Sequence, residues 1–314
     1  MASNPAEFKA AKMGGLVGVS AQMQRVYDLT LRVSAYRFPV LILGETGTGK
    51  ELVARSIHFM GPCKNEPFVP VDCAALVPAL IESELFGFAK GAFTGAYQAR
   101  QGLLASAGEG TIFLDEIGEL GPNLQAKLLR VLQEHEFRPI GSTVFTKLKA
   151  RVIAATHRDL RTQIKQQAFR EDLYFRLNVA QIVIPPLRER KDDIPLLVKS
   201  FIDKYEEDGF KTEFSDAAMK HLQAHYWPGN VRELENVVER ALALFPGQVI
   251  NTGDLELDLP DEPISKPTTS SEVSSLADLE RRAITRTICA AGGNKVLAAR
   301  MLGIGKSTLY RRLK

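Results

Sequence analysis

The stretch GETGTGK at 44–50 follows the β-branched run VLIL and precedes the helical pattern ELVARSIHFM. A glycine loop between a strand and a helix turns its backbone N–H groups toward one point, where the helix N-terminus adds partial positive charge. That is a phosphate cradle. Its residues are Gly44, Glu45, Thr46, Gly47, Thr48, Gly49 and Lys50, with the Lys50 ammonium reaching the β and γ phosphates of a nucleotide. Glu51 stands where the general pattern has the Ser or Thr that ligates magnesium, so Mg2+ must draw on other ligands and on water.

Such a loop needs a parallel sheet behind it. Five short apolar runs, FPVLIL, FVPVD, TIFLD, RVIAAT and QIVIP, alternate with helical patterns. They predict an α/β fold with a parallel five-stranded sheet and helices on both faces. The third run ends in Asp115 and Glu116. One carboxylate there suits magnesium, and the second suits orienting and deprotonating a water.

After IPPLRER the pattern turns helical through residue 244, and no further strands are expected. Within it, WPGNVREL offers Asn230 as a helix cap answered by Glu233, with Arg232 in the first turn as a phosphate sensor. The Pro-, Ser- and Thr-rich LPDEPISKPTTSSEVSS reads as a linker. Beyond it, NKVLAARMLGIGKSTLYRRLK reads as two helices about a tight turn.

Charge separates this last segment from the rest. The net charge is +3, yet residues 276–314 carry nine Lys/Arg against two Asp/Glu, leaving 31 against 35 before them. A basic helical module on a mildly acidic body points to nucleic acid as its partner. Lys306, Ser307, Thr308, Tyr310, Arg311 and Arg312 would enter the major groove, and the helix from Leu276 would pair with its copy on a palindromic site. Apolar residues make up 45% of the chain, but no run approaches the ~20 needed to span a bilayer. Cys63, Cys73 and Cys289 lack metal-ligand spacing. A cytoplasmic protein without membrane contact is expected.

Together these motifs resemble the bacterial enhancer-binding proteins, the AAA+ activators of sigma-54 RNA polymerase. The most specific likeness is ESELFGFAKGAFTGA at 82–96. The resemblance implies that Gly91, Ala92, Phe93, Thr94, Gly95 and Ala96 form the loop that contacts sigma-54 when ATP is turned over. Small neighbours let Phe93 reach a partner instead of a core. It also implies a helical lid, a Fis-like helix-turn-helix and a hexameric ring, with ATP and Mg2+ as cofactors and upstream DNA as the second partner. The expected domains are 14–186 (α/β), 187–255 (lid), 256–275 (linker) and 276–314 (DNA-binding).

By the same likeness FREDLYFRL bears two arginine fingers, Arg170 and Arg176, for a neighbour's site, and WPGNVREL is sensor II, centred on Arg232. Thr156 lies in sensor I, where His157 replaces a frequent Asn. Asp72 occupies the place of an Asn that couples nucleotide state to the loop through the catalytic Glu, so Asp72 is expected to raise the pKa of Glu116 or share its proton. Phe88 and Ala89 replace a frequent His-Glu pair. The roughly fifteen residues before LVGVSAQM are too few for a receiver domain, so in a two-component regulatory system control would come from a segment outside this sequence or from a separate protein. An ATP-hydrolysing transcriptional activator is the expectation. A repressor of the same ancestry, or an AAA+ unfoldase or helicase loader, is the alternative.

Overall fold

A computed structural model describes residues 12–13, 15–75, 78–94, 96–206, 210–255 and 257. All lie in one compact unit, 1–258. The five runs named above form strands β1 (Val40–Leu43), β2 (Phe68–Asp72), β3 (Thr111–Asp115), β4 (Arg151–Thr156) and β5 (Ala180–Val183). They pair in parallel in the order β5-β1-β4-β3-β2. Every residue of β4 is buried, as a central parallel strand covered on both faces requires.

The two-residue period of a strand divides these side chains between two cores. Leu41, Ile112, Leu114, Val152 and Ala154 face one. Val40, Ile42, Phe113, Ile153 and Ala155 face the other. Helices α1 (Ala21–Ser34) and α2 (Lys50–Phe59) supply the second core with Met23, Val26, Val53 and Ile57. The first is closed by α3 (Pro78–Phe86), α4 (Leu103–Ser106), α5 (Pro122–Glu134), α6 (Leu160–Lys165) and α7 (Glu171–Leu177). Each fully buried Leu or Ile contributes about 2 kcal/mol against exposure.

Parallel pairing brings the C-terminal ends of the strands to one edge. Thr156 of β4 pairs with Leu43 of β1, the residue before the glycine loop, and Asp72 of β2 pairs with Asp115 of β3. Ligands of open α/β sheets bind along this edge.

Beyond β5, 3-10 turns at Leu187–Glu189 and Lys191–Asp193 lead into α8 (Ile194–Tyr205), α9 (Asp216–Ala224) and α10 (Asn230–Leu244). Their core centres on the fully buried Trp227, whose indole N–H donates to Leu222 O at 2.7 Å. Strands do not stop after IPPLRER, contrary to the sequence reading: Glu213–Phe214 pairs in parallel with Val249–Ile250. Two residues per strand are too few to show an alternating pattern. Among the described residues no helix is long and apolar enough to cross a membrane.

Asp193 ties the two halves together. It is fully buried and accepts from Val19 N–H (2.6 Å), Ser20 N–H (2.7 Å) and the Ser20 hydroxyl (2.8 Å) at the start of α1. Removing it strands three donors in a dry site. Asp193→Ala is expected to lose about 3 kcal/mol of unfolding free energy, and Asp193→Asn less than half of that, in urea denaturation.

Candidate active site

Gly47 and Gly49 adopt φ values of +78° and +100°, which turn the loop back on itself before α2. Lys50, the first residue of α2, is buried. Its ammonium donates to Gly44 O at 3.1 Å and pairs with Glu116 Oε1 at 3.1 Å. Thr48 closes the loop by donating to Glu45 O at 2.7 Å, and Thr46 is exposed. Glu51 points outward and pairs with Arg55 one turn along, at 2.7 Å.

The lid holds this loop through main-chain and side-chain bonds. Gly47 O accepts from the N–H groups of Val231 (3.0 Å) and Arg232 (3.3 Å), the first turn of α10. Arg232 therefore lies over the loop with its side chain exposed. Asn230 is not the helix cap expected from the sequence. Gly229 takes that position, and Glu233 bonds the Gly229 N–H at 2.7 Å. The fully buried Asn230, at φ +54°, instead donates to Glu45 Oε2 (3.1 Å) and Thr46 O (3.0 Å) and accepts from Leu187 N–H (2.8 Å). Glu45 also receives a bidentate pair from Arg188 at 2.6 and 2.7 Å. These Arg188 bonds, outweighing partial desolvation, hold the Glu45 carboxyl below its usual range.

Glu116 follows β3 in a left-handed turn, φ +51°. Its Oε2 accepts from His157 N–H at 3.1 Å and His157 Nδ1 at 2.6 Å, with the Thr156 hydroxyl at 3.5 Å. Burial alone would raise its pKa, but the His157 donors and Lys50 outweigh burial and hold it below the usual carboxylate range. Asp115 is shifted the other way. Burial raises it, Lys50 and the Glu116 N–H pull it down, and the charges of Glu116 and Asp72 push it up again. The expectation that Asp72 raises the Glu116 pKa is thus overturned. Asp72 Oδ1 is turned back onto the N–H groups of Ala74 (2.8 Å) and Ala75 (3.1 Å), and its charge acts on Asp115 and on the buried Cys73 thiol, which burial first pushes up to about 12.

A cavity of about 470 Å³ opens beside Thr48 and Gly49, lined on its apolar side by Leu16, Val17, Leu52, Leu197, Phe201 and Val231. An apolar wall beside a phosphate cradle suits the base of a nucleotide. The sequence reading missed this wall, because its residues come from four separate segments and carry no polar signal. Magnesium fits the donor set only in part. Among the described residues no group of three His, Cys, Asp or Glu is arranged to hold a metal, so Asp115 would share the ion with phosphate oxygens and water.

The two expected fingers bond to residues outside this site. Arg170 is exposed and pairs with Asp172 at 2.7 Å, and Arg176 donates to Leu132 O at 3.1 Å. In the 91–96 loop, Phe93 is 48% exposed and leans on Phe88 at 5.0 Å between ring centroids. Thr94 is exposed and Ala96 buried. Gly91, at φ +80°, donates to Ala96 O at 2.8 Å, and Ala92 donates to Ala89 O at 3.2 Å. The loop stem, Gly87–Phe88 against Arg100–Gln101, is stapled by Arg100 to Glu84 at 2.6 and 3.1 Å. Gly95, the linker and the expected DNA-contacting Lys306, Ser307, Thr308, Tyr310, Arg311 and Arg312 lie outside the described residues.

Three family descriptions match consecutive parts of the chain. They are the sigma-54 interaction domain over 16–183, the AAA+ ATPase lid domain over 188–272, and the bacterial regulatory protein, Fis family, over 275–314. The transcriptional regulatory protein ZraR of Escherichia coli (strain K12) is 45% identical over 305 residues, 96% of this chain and 69% of the relative. The DNA-binding transcriptional regulator NtrC of Rhizobium meliloti (strain 1021) is 41% identical over 333 residues, 95% of this chain and 69% of the relative. The crystal structure of NtrX from Brucella abortus in complex with ATP superposes with a TM-score of 0.73 at 33% identity, covering 98% of this chain and 71% of that one.

A Cβ on Gly47 would lie 2.2 Å from Gly229 O, on a backbone unsuited to alanine. Gly47→Ala is expected to weaken binding of a fluorescent ATP analogue at least about tenfold and to lower the melting temperature. The Glu45–Arg188 pair has a defined pH window. With the folded carboxyl held low, its stabilisation is present above the unfolded value of about 4.3 and is lost as pH falls through the folded value. The stability difference between the wild type and Glu45→Gln should therefore shrink below about pH 4 in acid titrations of unfolding.

Proposed function

Because this chain belongs to the sigma-54 interaction domain family of transcriptional activators, with an AAA+ lid and a Fis-type helix-turn-helix, we propose that it hydrolyses ATP to remodel sigma-54 RNA polymerase. The observation that carries this reading is the Glu116–Lys50 pair at the mouth of the glycine loop, with Thr156 and His157 on the same carboxylate. The phosphate-binding lysine and a carboxylate able to take a proton from water stand within one hydrogen bond of each other.

Gly44, Glu45, Thr46, Gly47, Thr48 and Gly49 cradle the phosphates through backbone N–H groups, and Lys50 neutralises the β and γ oxygens. Glu116 orients the attacking water and accepts its proton, and Thr156 senses the γ-phosphate from the end of β4. Asp115 is the residue that would hold Mg2+, which when bound neutralises charge between the β and γ phosphates. Arg232 meets the phosphates from the lid, and Arg170 and Arg176, outward-facing in their own chain, serve the site of the next chain in a ring. Glu51 and Asp72 border the site without touching the phosphates, since each is turned onto local partners.

The exposed Phe93 and Thr94 support the 91–96 loop as the contact with sigma-54. The basic 276–314 segment would hold upstream DNA through Lys306, Ser307, Thr308, Tyr310, Arg311 and Arg312, as a two-fold pair in a hexameric assembly working in the cytoplasm.

Glu116→Gln is expected to keep ATP binding and to lose hydrolysis by about 10²- to 10⁴-fold in a phosphate-release assay. With ADP and aluminium fluoride, the wild type should be trapped on purified sigma-54, whereas Thr94→Ala should hydrolyse ATP and fail to be trapped. Trapping of both proteins alike would remove the loop from the mechanism.

A further inference from the structure

The cavity beside the glycine loop carries a carboxylate that the phosphate chemistry does not use. Glu235 of α10 lines it together with Val231, one turn nearer the loop. Val231 N–H is bonded to Gly47 O at 3.0 Å, so the Glu235 backbone stands about 6 Å along the helix from the phosphate cradle. The side chain is held from one direction. Lys204, near the end of α8, donates to Oε1 at 2.8 Å, and the Tyr205 hydroxyl donates to the same oxygen at 2.7 Å. Among the described residues Oε2 therefore keeps its capacity to accept. Partial burial works against ionisation, but the bonds from Lys204 and Tyr205 outweigh it and hold the carboxyl below its usual range. At neutral pH the group has no proton to give.

That chemistry narrows what it can meet. A carboxylate repels phosphate and gains nothing from the face of a base, which belongs on the wall of Leu16, Leu52 and Phe201. What an acceptor-only oxygen takes from a nucleotide is an O–H or N–H donor. In a nucleotide the sugar hydroxyls lie next to the phosphates, and the amine of the base lies beyond them. Glu235 is close enough to Arg232, over the phosphate loop, for that charge to act on its carboxyl. This places the free oxygen at the sugar. Other polar groups of the lining do not compete for the same donor. Arg190 is committed to Thr48 O and, like Lys204, cannot accept, and Asp203 is exposed to solvent.

We propose that Glu235 is a specificity-determining residue: its free carboxylate oxygen accepts from a ribose hydroxyl, so the site prefers ribonucleotides to their deoxy counterparts. Lys204 and Tyr205 act through Glu235 by fixing the other oxygen from α8. One carboxylate then joins α8, α10 and the sugar.

The inference rests on the reading of this cavity as the nucleotide site, and calorimetric titration of the full chain with diphosphates, which do not turn over, separates the two. The wild type should bind ADP about tenfold more tightly than at least one of 2′-deoxy-ADP and 3′-deoxy-ADP, the loss expected for one hydrogen bond to a charged group. Glu235→Ala should bind ADP as weakly as the wild type binds that analogue, and should no longer distinguish the two. Lys204→Met removes the bridge between α8 and α10 but keeps the carboxylate, so it should retain the preference. Equal binding of all three diphosphates by the wild type, a comparison that needs no variant to fold, overturns the proposal. So does a preference that survives in Glu235→Ala, or one lost equally in Lys204→Met, which would reduce Glu235 to a structural bridge. Inosine diphosphate tests the other donor. If Glu235→Ala abolishes a preference for ADP over inosine diphosphate and leaves the deoxy ratios unchanged, the carboxylate reads the base amine and the sugar contact falls. If the wild type binds no ADP, the nucleotide site itself fails, and the ribose contact with it.

Discussion

The carbonyl of Gly47 is the joint on which the molecule turns. It is a phosphate-loop atom, yet it accepts the first free N–H groups of a lid helix, so the orphan donors of α10 are satisfied by the nucleotide cradle itself. Asn230 adds two more bonds across the same seam, to Glu45 and Thr46, and Arg188 clamps Glu45 beside them. On the opposite side of the loop Arg190, buried and with its charge opposed by desolvation, donates to Thr48 O at 3.2 Å. Cradle and lid are therefore one hydrogen-bonded piece. A change in what the loop holds is felt by α10 without an intermediary.

The site also divides two adjacent carboxylates by environment. Asp115 is dominated by burial and by like charge, and Glu116 by donors. Burial pushes both the same way; the His157 N–H and ring separate them. The sheet order explains why this is possible. β3 lies between β2 and β4, so an acid at its end has one neighbour that repels, Asp72, and one that donates, His157.

Much of this was legible in the sequence where a pattern has only one physical solution. A glycine loop between strand and helix, and apolar runs flanked by helices, leave few alternatives to a parallel sheet, and all five runs became its strands. Asn230 illustrates the other case. Its spacing to Glu233 satisfies the capping rule, but a positive φ and full burial turn its amide to the glycine loop, a partner 184 residues away. Asp72 failed as a predictor for a similar reason. Position within a motif gave its proximity to Glu116, while the local turn at Ala74 and Ala75 decided where its oxygens point. The apolar wall beside Thr48 had no pattern to read, since a cavity is a property of packing.

The loop that carries Phe93 combines a well-braced root with an exposed aromatic at its tip. A bidentate ion pair from Arg100 to Glu84 and two backbone bonds joining Ile140 to Gly87 and Ala89 fix the root. At the tip the backbone closes on itself through Gly91 N–H to Ala96 O and Ala96 N–H to Phe93 O, while the Phe93 side chain has one tilted ring contact, with Phe88. Such a contact is worth about 1 kcal/mol, less than a factor of ten in an equilibrium constant. Lifting the Phe93 ring off Phe88 therefore costs little beside what burying the same ring against another surface returns.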